Sequence, residues 1–154
     1  MNFYLWIKLL HVLSASVLFG TGMGIAYFKW IVDRSGHVGA IRIMSERVVV
    51  ADWIFTSVAV VVQPLSGFAL VRWAEFPMQG WIIYALVLYV LIGICWLPVV
   101  RLQMQMRDLA RRADDADQPL PELYWRYCRR WFWLGVPAFA MLLIVFWLML
   151  SKPS

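Results

Sequence analysis

The chain has 154 residues, of which 63% are hydrophobic and 15% charged, and its mean hydropathy is +0.72. This apolar content exceeds that of soluble domains and excludes an ordinary globular enzyme, and the length leaves room for one domain. The net charge of +5 follows from arginines that orient a membrane protein, so it does not indicate a nucleic-acid partner.

Four apolar stretches are long enough to cross a bilayer, which takes about 20 residues in a helix. We place them at 4–28, 48–71, 81–101 and 132–150. Backbone groups in lipid must find hydrogen-bond partners within their own segment, which favours helices for all four. The chain is therefore predicted to be all-α, a single integral membrane four-helix bundle over residues 1–154.

The first stretch contains the most informative motif, Trp-Ile-Lys-Leu-Leu-His at 6–11. Lys8 and His11 lie three residues apart and share a helix face. Ionisable side chains inside a membrane span are costly, and each is a functional-site hypothesis by default. Because no basic residues precede the stretch, we expect a permanent helix and not a cleaved signal.

Small residues follow in the same stretch at a spacing of four. Such a row favours close helix packing in lipid, and the alternative is a groove for a flat cofactor. The row consists of Ser16, Gly20 and Gly24.

Depth along the helices predicts which polar groups meet. His11 lies about 10 Å from the outer end of the first helix, and Gln63 lies about 12 Å below the outer end of the second. Gln63 precedes Pro64, whose missing N–H frees a carbonyl and can kink the helix. Tyr84 of the third helix reaches the same half of the membrane. We therefore predict that His11, Gln63, Tyr84 and Lys8 converge.

The third connection is the only sizeable segment expected outside the membrane. Residues 101–113 continue the third helix into the cytoplasm, with Asp108 and Arg112 paired. Three aspartates and two prolines at 114–121 predict an exposed loop, since this segment lacks apolar surface for a core. The last helix is expected to restart near Pro121, and residues 124–131 to lie among the lipid headgroups.

Basic residues divide unequally between the two sides of the membrane. The connections at 29–47 and 101–131 share one side, and both termini and the short connection at 72–80 share the other. The first side carries eleven basic residues: Lys29, Arg34, Arg42, Arg47, Arg101, Arg107, Arg111, Arg112, Arg126, Arg129 and Arg130. The second side carries Arg72 and Lys152, with Lys8 in the helix. This imbalance predicts a bacterial inner-membrane protein with both termini periplasmic, bound by membrane lipid.

Two hypotheses remain open for His11. The first is a neutral imidazole that shares one interhelical hydrogen bond with Gln63, a bond worth about 0.6 kcal/mol in membrane proteins. The second is an axial ligand to haem iron, because histidine is the common proximal ligand and helix bundles hold cofactors through inward side chains. Lys8 would then hold a haem propionate or a substrate carboxylate.

The motif Trp6-x-Lys8-x-x-His11, followed by glycines at 20, 22 and 24, resembles the opening of HemJ-type membrane protoporphyrinogen oxidases. The resemblance continues with Glu46-Arg47, Gly67 and Gly80-Trp81, and covers roughly residues 3–105. The chain also resembles a related uncharacterised family of small integral membrane proteins, a domain of unknown function, and loosely the CopD-type copper-resistance proteins.

The HemJ resemblance implies b-type haem ligated by His11 and oxidation of a porphyrinogen in the membrane. The chain departs from that family in the third helix. It has Tyr84-Ala85-Leu86 where the family carries a lysine, and Cys95-Trp96 where the family has a second histidine.

Two classes of function follow from these residues. The first is a haem-dependent membrane oxidoreductase with haem b at His11, aided by Lys8, Gln63 and Tyr84, and a quinone or porphyrin-type small molecule as partner. The second is a non-enzymatic accessory subunit, or a copper- or solute-handling protein. A homo-oligomer is compatible with either class.

Overall fold

The expected all-α architecture is confirmed by the structure, a computed structural model that describes residues 3–73 and 80–152. Four helices run antiparallel in sequence order: α1 at Phe3–Arg34, α2 at Val38–Trp73, α3 at Gly80–Asp115 and α4 at Glu122–Ser151. All four are long and apolar enough to cross a membrane, and no strand occurs in the described ranges. Most of the expected connection at 72–80 lies outside the described residues.

The connection expected at 29–47 is instead almost entirely helical. Helix α1 ends at Arg34 and α2 begins at Val38, so three residues make the turn. Gly36 in this turn has φ +70°, a left-handed conformation that glycine adopts without a Cβ penalty. The helices therefore extend past the membrane, because a helix of 36 residues is about 54 Å long and the hydrocarbon core is about 30 Å thick.

The buried core lies at the end of the bundle where α1 meets α2 and α3 meets α4, which we call the arginine-rich end. Its members are Ile41, Leu102, Met106, Ala110, Tyr124 and Trp131. Large apolar side chains elsewhere remain exposed, for example Phe68 at 75% and Leu150 at 83%. Water drives apolar burial outside the membrane, whereas lipid is as apolar as leucine and does not, so the core forms beyond the lipid.

Ion pairs join the beginning of α2 to the end of α3. Arg42 contacts Asp114 at 2.8 Å and Asp115 at 2.7 Å, and Arg111 contacts Glu46 at 3.6 Å. The two aspartates therefore belong to α3 and not to the loop expected at 114–121. Arg42 thus neutralises two partly exposed carboxylates across the helix pair, a contact of the kind that contributes about 0–1 kcal/mol.

Two further sequence expectations at this end are wrong. Asp108 pairs with the adjacent Arg107 at 2.8 Å, and not with Arg112 one turn later. Residues 124–131 do not all lie among headgroups, since Tyr124 is fully buried and Trp131 is 8% exposed. Both side chains pack into the core because α4 begins at Glu122, well before the apolar stretch at 132.

Helix α2 departs from regular α-helical geometry at two places. Residues Asp52–Thr56 form a π-helical turn, in which the Thr56 hydroxyl donates to Oδ1 of Asp52 at 2.8 Å. Pro64 lies inside the same helix and has no N–H for the carbonyl of Val60, four residues earlier. The Tyr89 hydroxyl of α3 donates to that carbonyl. The kink-forming proline is therefore compensated by a neighbouring helix, as backbone in lipid requires.

Candidate functional site

One polar cluster lies where α1 and α2 pack together in the halves that are farther from the arginine-rich end. On α2, Gln63 is followed three and four residues later by Ser66 and Gly67, so these residues share one helix face. On α1, His11 and Ser14 are three residues apart and also share a face. Gln63 is 7% exposed, Ser66 5% and Ser14 6%, whereas His11 is partly exposed. We call these five residues the His11 cluster.

Both ring nitrogens of His11 have a partner on α2. Nδ1 lies 2.9 Å from Oγ of Ser66, and Nε2 lies 3.2 Å from Nε2 of Gln63. The Ser66 hydroxyl donates to the carbonyl of Val62 at 2.7 Å, so its oxygen is left to accept. These partners favour the tautomer with the proton on Nδ1, in which the lone pair of Nε2 faces the Gln63 amide.

The rest of the cluster holds the ring in place. The Ser14 hydroxyl contacts Oε1 of Gln63, which orients the amide so that its NH₂ group faces His11. A Cβ atom at Gly67 would lie 3.1 Å from Cε1 of His11, closer than ordinary contact. Any side chain at this position would push the imidazole away from α2 by a few tenths of an ångström. Sequence depth predicted that His11 and Gln63 meet, but Ser14 and Ser66 were missed.

The other two residues predicted for this site stand apart from it. Lys8 is exposed one turn before His11, and it lies on the same helix face. Tyr84 is 65% exposed and lies against Gly80 of its own helix. No contact among the described residues joins Tyr84 to His11. The structure therefore brings together His11 and Gln63 but not Tyr84.

A second polar cluster lies at the arginine-rich end and joins α1 to α4. Lys29 is 1% exposed and its Nζ lies 2.8 Å from Oδ2 of Asp33, which is 5% exposed. The Lys29 ammonium also donates to the Tyr124 hydroxyl at 2.8 Å, and that hydroxyl donates to Oδ1 of Asp33 at 2.7 Å. Cys128 lies with its Sγ 3.3 Å from Oδ2 of Asp33. We call these four residues the Lys29 cluster.

Aromatic rings complete the surroundings of the buried ammonium. Nζ of Lys29 lies 5.1 Å from the ring centroid of Tyr124 and 5.9 Å from that of Trp131. Ring faces are negative, so they stabilise a desolvated cation. Every group of the cluster thus has a partner of opposite charge or polarity, as a buried ion pair needs.

Sequence analysis assigned Lys29 only to membrane orientation and did not consider Asp33. The i, i+4 spacing of the two was the available signal, because residues four apart on a helix are neighbours. His11 and Lys29 are about five turns apart, so the two clusters lie on the same face of α1. In residues 3–73 and 80–152 no three His, Cys, Asp or Glu side chains come together in a group that could hold a metal ion.

Comparison with known proteins gives the family but no activity. No curated protein and no solved structure matches the chain. A family model described as a predicted integral membrane protein, DUF2269, matches residues 5–153. This match covers nearly the whole chain and agrees with the four long apolar helices. The chain therefore belongs to the DUF2269 family of predicted integral membrane proteins.

Proposed function

We propose that this protein is a membrane redox protein that holds a b-type haem through Nε2 of His11. The bond between Nδ1 of His11 and Oγ of Ser66 is the observation that carries the proposal. A histidine that ligates a metal usually donates its other ring N–H to a polar partner, which sets the tautomer and the ring orientation. Ser66 is positioned to be that partner for Nδ1 of His11.

Binding of such a ligand at the His11 cluster requires one side chain to move. The Gln63 amide now occupies the lone pair of Nε2, so Gln63 would turn away and serve as a polar partner to the bound group. Lys8, exposed one turn nearer the membrane surface, would hold a propionate. A bound haem supplies one-electron chemistry, and a quinone or porphyrin-type molecule is the partner that suits a site in lipid.

Absorbance of the purified protein tests this proposal. Protein from haem-replete cells is expected to show a Soret band, and His11→Ala is expected to remove it while the protein stays in the membrane, since four apolar helices still insert. Ser66→Ala is expected to weaken haem retention about tenfold, the usual cost of losing the partner of a ligating histidine. His37→Ala is the matched control, because His37 is the other histidine and lies exposed in the turn after α1.

A non-enzymatic accessory subunit is the second candidate, and the 3.2 Å contact between Gln63 and His11 favours it. With that contact, both ring nitrogens of His11 have a polar partner on α2, as expected when a histidine serves only to join two helices. Colourless protein, even with haem supplied, would support this candidate and end the haem proposal. His11→Gln would then change stability little, because glutamine can replace the hydrogen bond.

We also propose that the arginine-rich end faces the cytoplasm, so that both termini are periplasmic. Eleven of the fourteen Lys and Arg residues fall on the arginine-rich side, the excess that cytoplasmic connections carry. A reporter that is active only in the periplasm, such as alkaline phosphatase, is expected to be active when it is fused after Ser154. A matched fusion in the turn at Gly36 should give the opposite result. A cytoplasmic signal after Ser154 would reverse the orientation and move the His11 cluster to the other leaflet.

A further inference from the structure

A groove of about 800 Å³ opens on the surface between α3 and α4. Its basic residues, Arg101 and Arg130, come from different helices and face the same space, with Gln105 beside them. A second hollow of about 370 Å³ shares Arg130 and Trp133 with the first and adds Arg126 and Arg129. The two hollows adjoin at Arg130 and Trp133, and we call them together the α3–α4 groove.

The arginines of the α3–α4 groove have no acidic partner in the described part of the chain. Elsewhere at this end, Arg42, Arg107 and Arg111 each contact a carboxylate. The four groove arginines form no such pair, although Asp108 follows Arg101 by two turns and Glu122 precedes Arg126 by one turn along the chain. Their positive charge is not neutralised within the described residues, so an anion from outside the chain can approach them. They are Arg101, Arg126, Arg129 and Arg130.

The groove lies where the apolar part of each helix ends. Arg101 closes the apolar stretch 81–101 of α3, and Arg130 lies two residues before the stretch 132–150 of α4. Toward the middle of the membrane the groove wall is apolar, with Ile94 60% and Leu97 62% exposed. Trp133, 71% exposed, lies at the boundary, a position that tryptophan prefers in membrane proteins.

We propose that the α3–α4 groove binds one anionic phospholipid. The phosphate lies between Arg101 and Arg130, whose planar guanidinium groups suit phosphate oxygens, and the acyl chains follow Ile94 and Leu97. A ligand that is negative at one end and apolar at the other matches both parts of the groove. A free phosphate would use only the basic part, and a zwitterionic lipid would bring a cation toward the unpaired arginines.

Native mass spectrometry of the detergent-purified protein tests the proposal with lipids of matched acyl chains. Phosphatidylglycerol is expected to bind more tightly than phosphatidylcholine. Arg101→Gln combined with Arg130→Gln is expected to weaken phosphatidylglycerol binding about thirtyfold, since each arginine near a membrane surface contributes about fivefold. Arg107→Gln combined with Arg112→Gln removes the same charge from α3 outside the groove and should leave binding within about twofold.

Three results would overturn the proposal. Equal weakening by both double variants would show attraction by net charge alone. Equal binding of the two lipids would show that the arginines do not select an anionic headgroup. Displacement of phosphatidylglycerol by millimolar inorganic phosphate would show a soluble-anion site. If the groove double variant does not accumulate, Arg130→Gln alone is expected to weaken binding about fivefold, and an unchanged affinity would equally contradict the site.

Discussion

Replacing Lys29 with methionine is expected to lower the free energy of unfolding by about 3–5 kcal/mol, the cost of leaving one charge of a buried pair without its partner. Asp33 is 5% exposed and would keep only the neutral donors Tyr124 and Cys128. Methionine has a similar length and fits the apolar surroundings, so the loss reports charge and not a cavity. Thermal unfolding of the protein in detergent, followed by tryptophan fluorescence, would measure the change.

A double-mutant cycle separates the pair from its packing. Lys29→Met combined with Asp33→Leu should recover most of the stability lost by either single change, because no buried charge remains. Arg107→Gln is the matched control at an exposed pair, with side chains 29% and 51% exposed, and should cost about 0–1 kcal/mol. If Lys29→Met lowers the free energy of unfolding no more than Arg107→Gln does, the Lys29 cluster stabilises the protein no more than a surface ion pair.

Replacing Gly67 with leucine is expected to separate α1 from α2 at the His11 cluster. A Cβ atom there already lies 3.1 Å from Cε1 of His11, and the further leucine atoms have no room beside the ring. Overpacking of this kind costs about 1–3 kcal/mol. The displaced imidazole loses its bonds to Ser66 and Gln63, so under the haem proposal the Soret band should also be lost.

Gly20 provides the matched control for this prediction. A Cβ atom at Gly20 or Gly24 of α1 meets nothing within 4 Å, so the close helix packing predicted for this row of small residues is wrong at both glycines. Gly20→Leu therefore places the same side chain in open space. It should change neither stability nor pigment. Normal stability of Gly67→Leu would mean that α1 and α2 do not approach as closely as the structure shows. If Gly67→Leu loses stability but keeps its pigment, the close contact between α1 and α2 is supported. His11 is then not the haem ligand.

Within the His11 cluster, sequence analysis predicted the depth of each polar group but not its direction. A residue's position along a helix axis follows from 1.5 Å per residue, which is why His11 and Gln63 were expected to meet. Rotation about the axis depends on how neighbouring helices pack. Tyr84 was expected at the same depth, yet it points away from the cluster and is 65% exposed. Ser66 lies one turn after Gln63 on α2, so the rotation of α2 that turns Gln63 toward His11 also turns Ser66 toward it.

The sequence by itself determined that this is a four-helix membrane protein, because hydropathy over about 20 residues is a local property that needs no partner. It also determined where α4 begins, since Pro121 cannot continue a preceding helix. Only the tertiary structure decided that Lys29 and Asp33 meet Tyr124 and that the core lies at the arginine-rich end. The contacts of Tyr124 with Lys29 and Asp33 join residues more than 90 positions apart. The core forms at this end because water, absent from the lipid, drives burial where the helices leave the membrane.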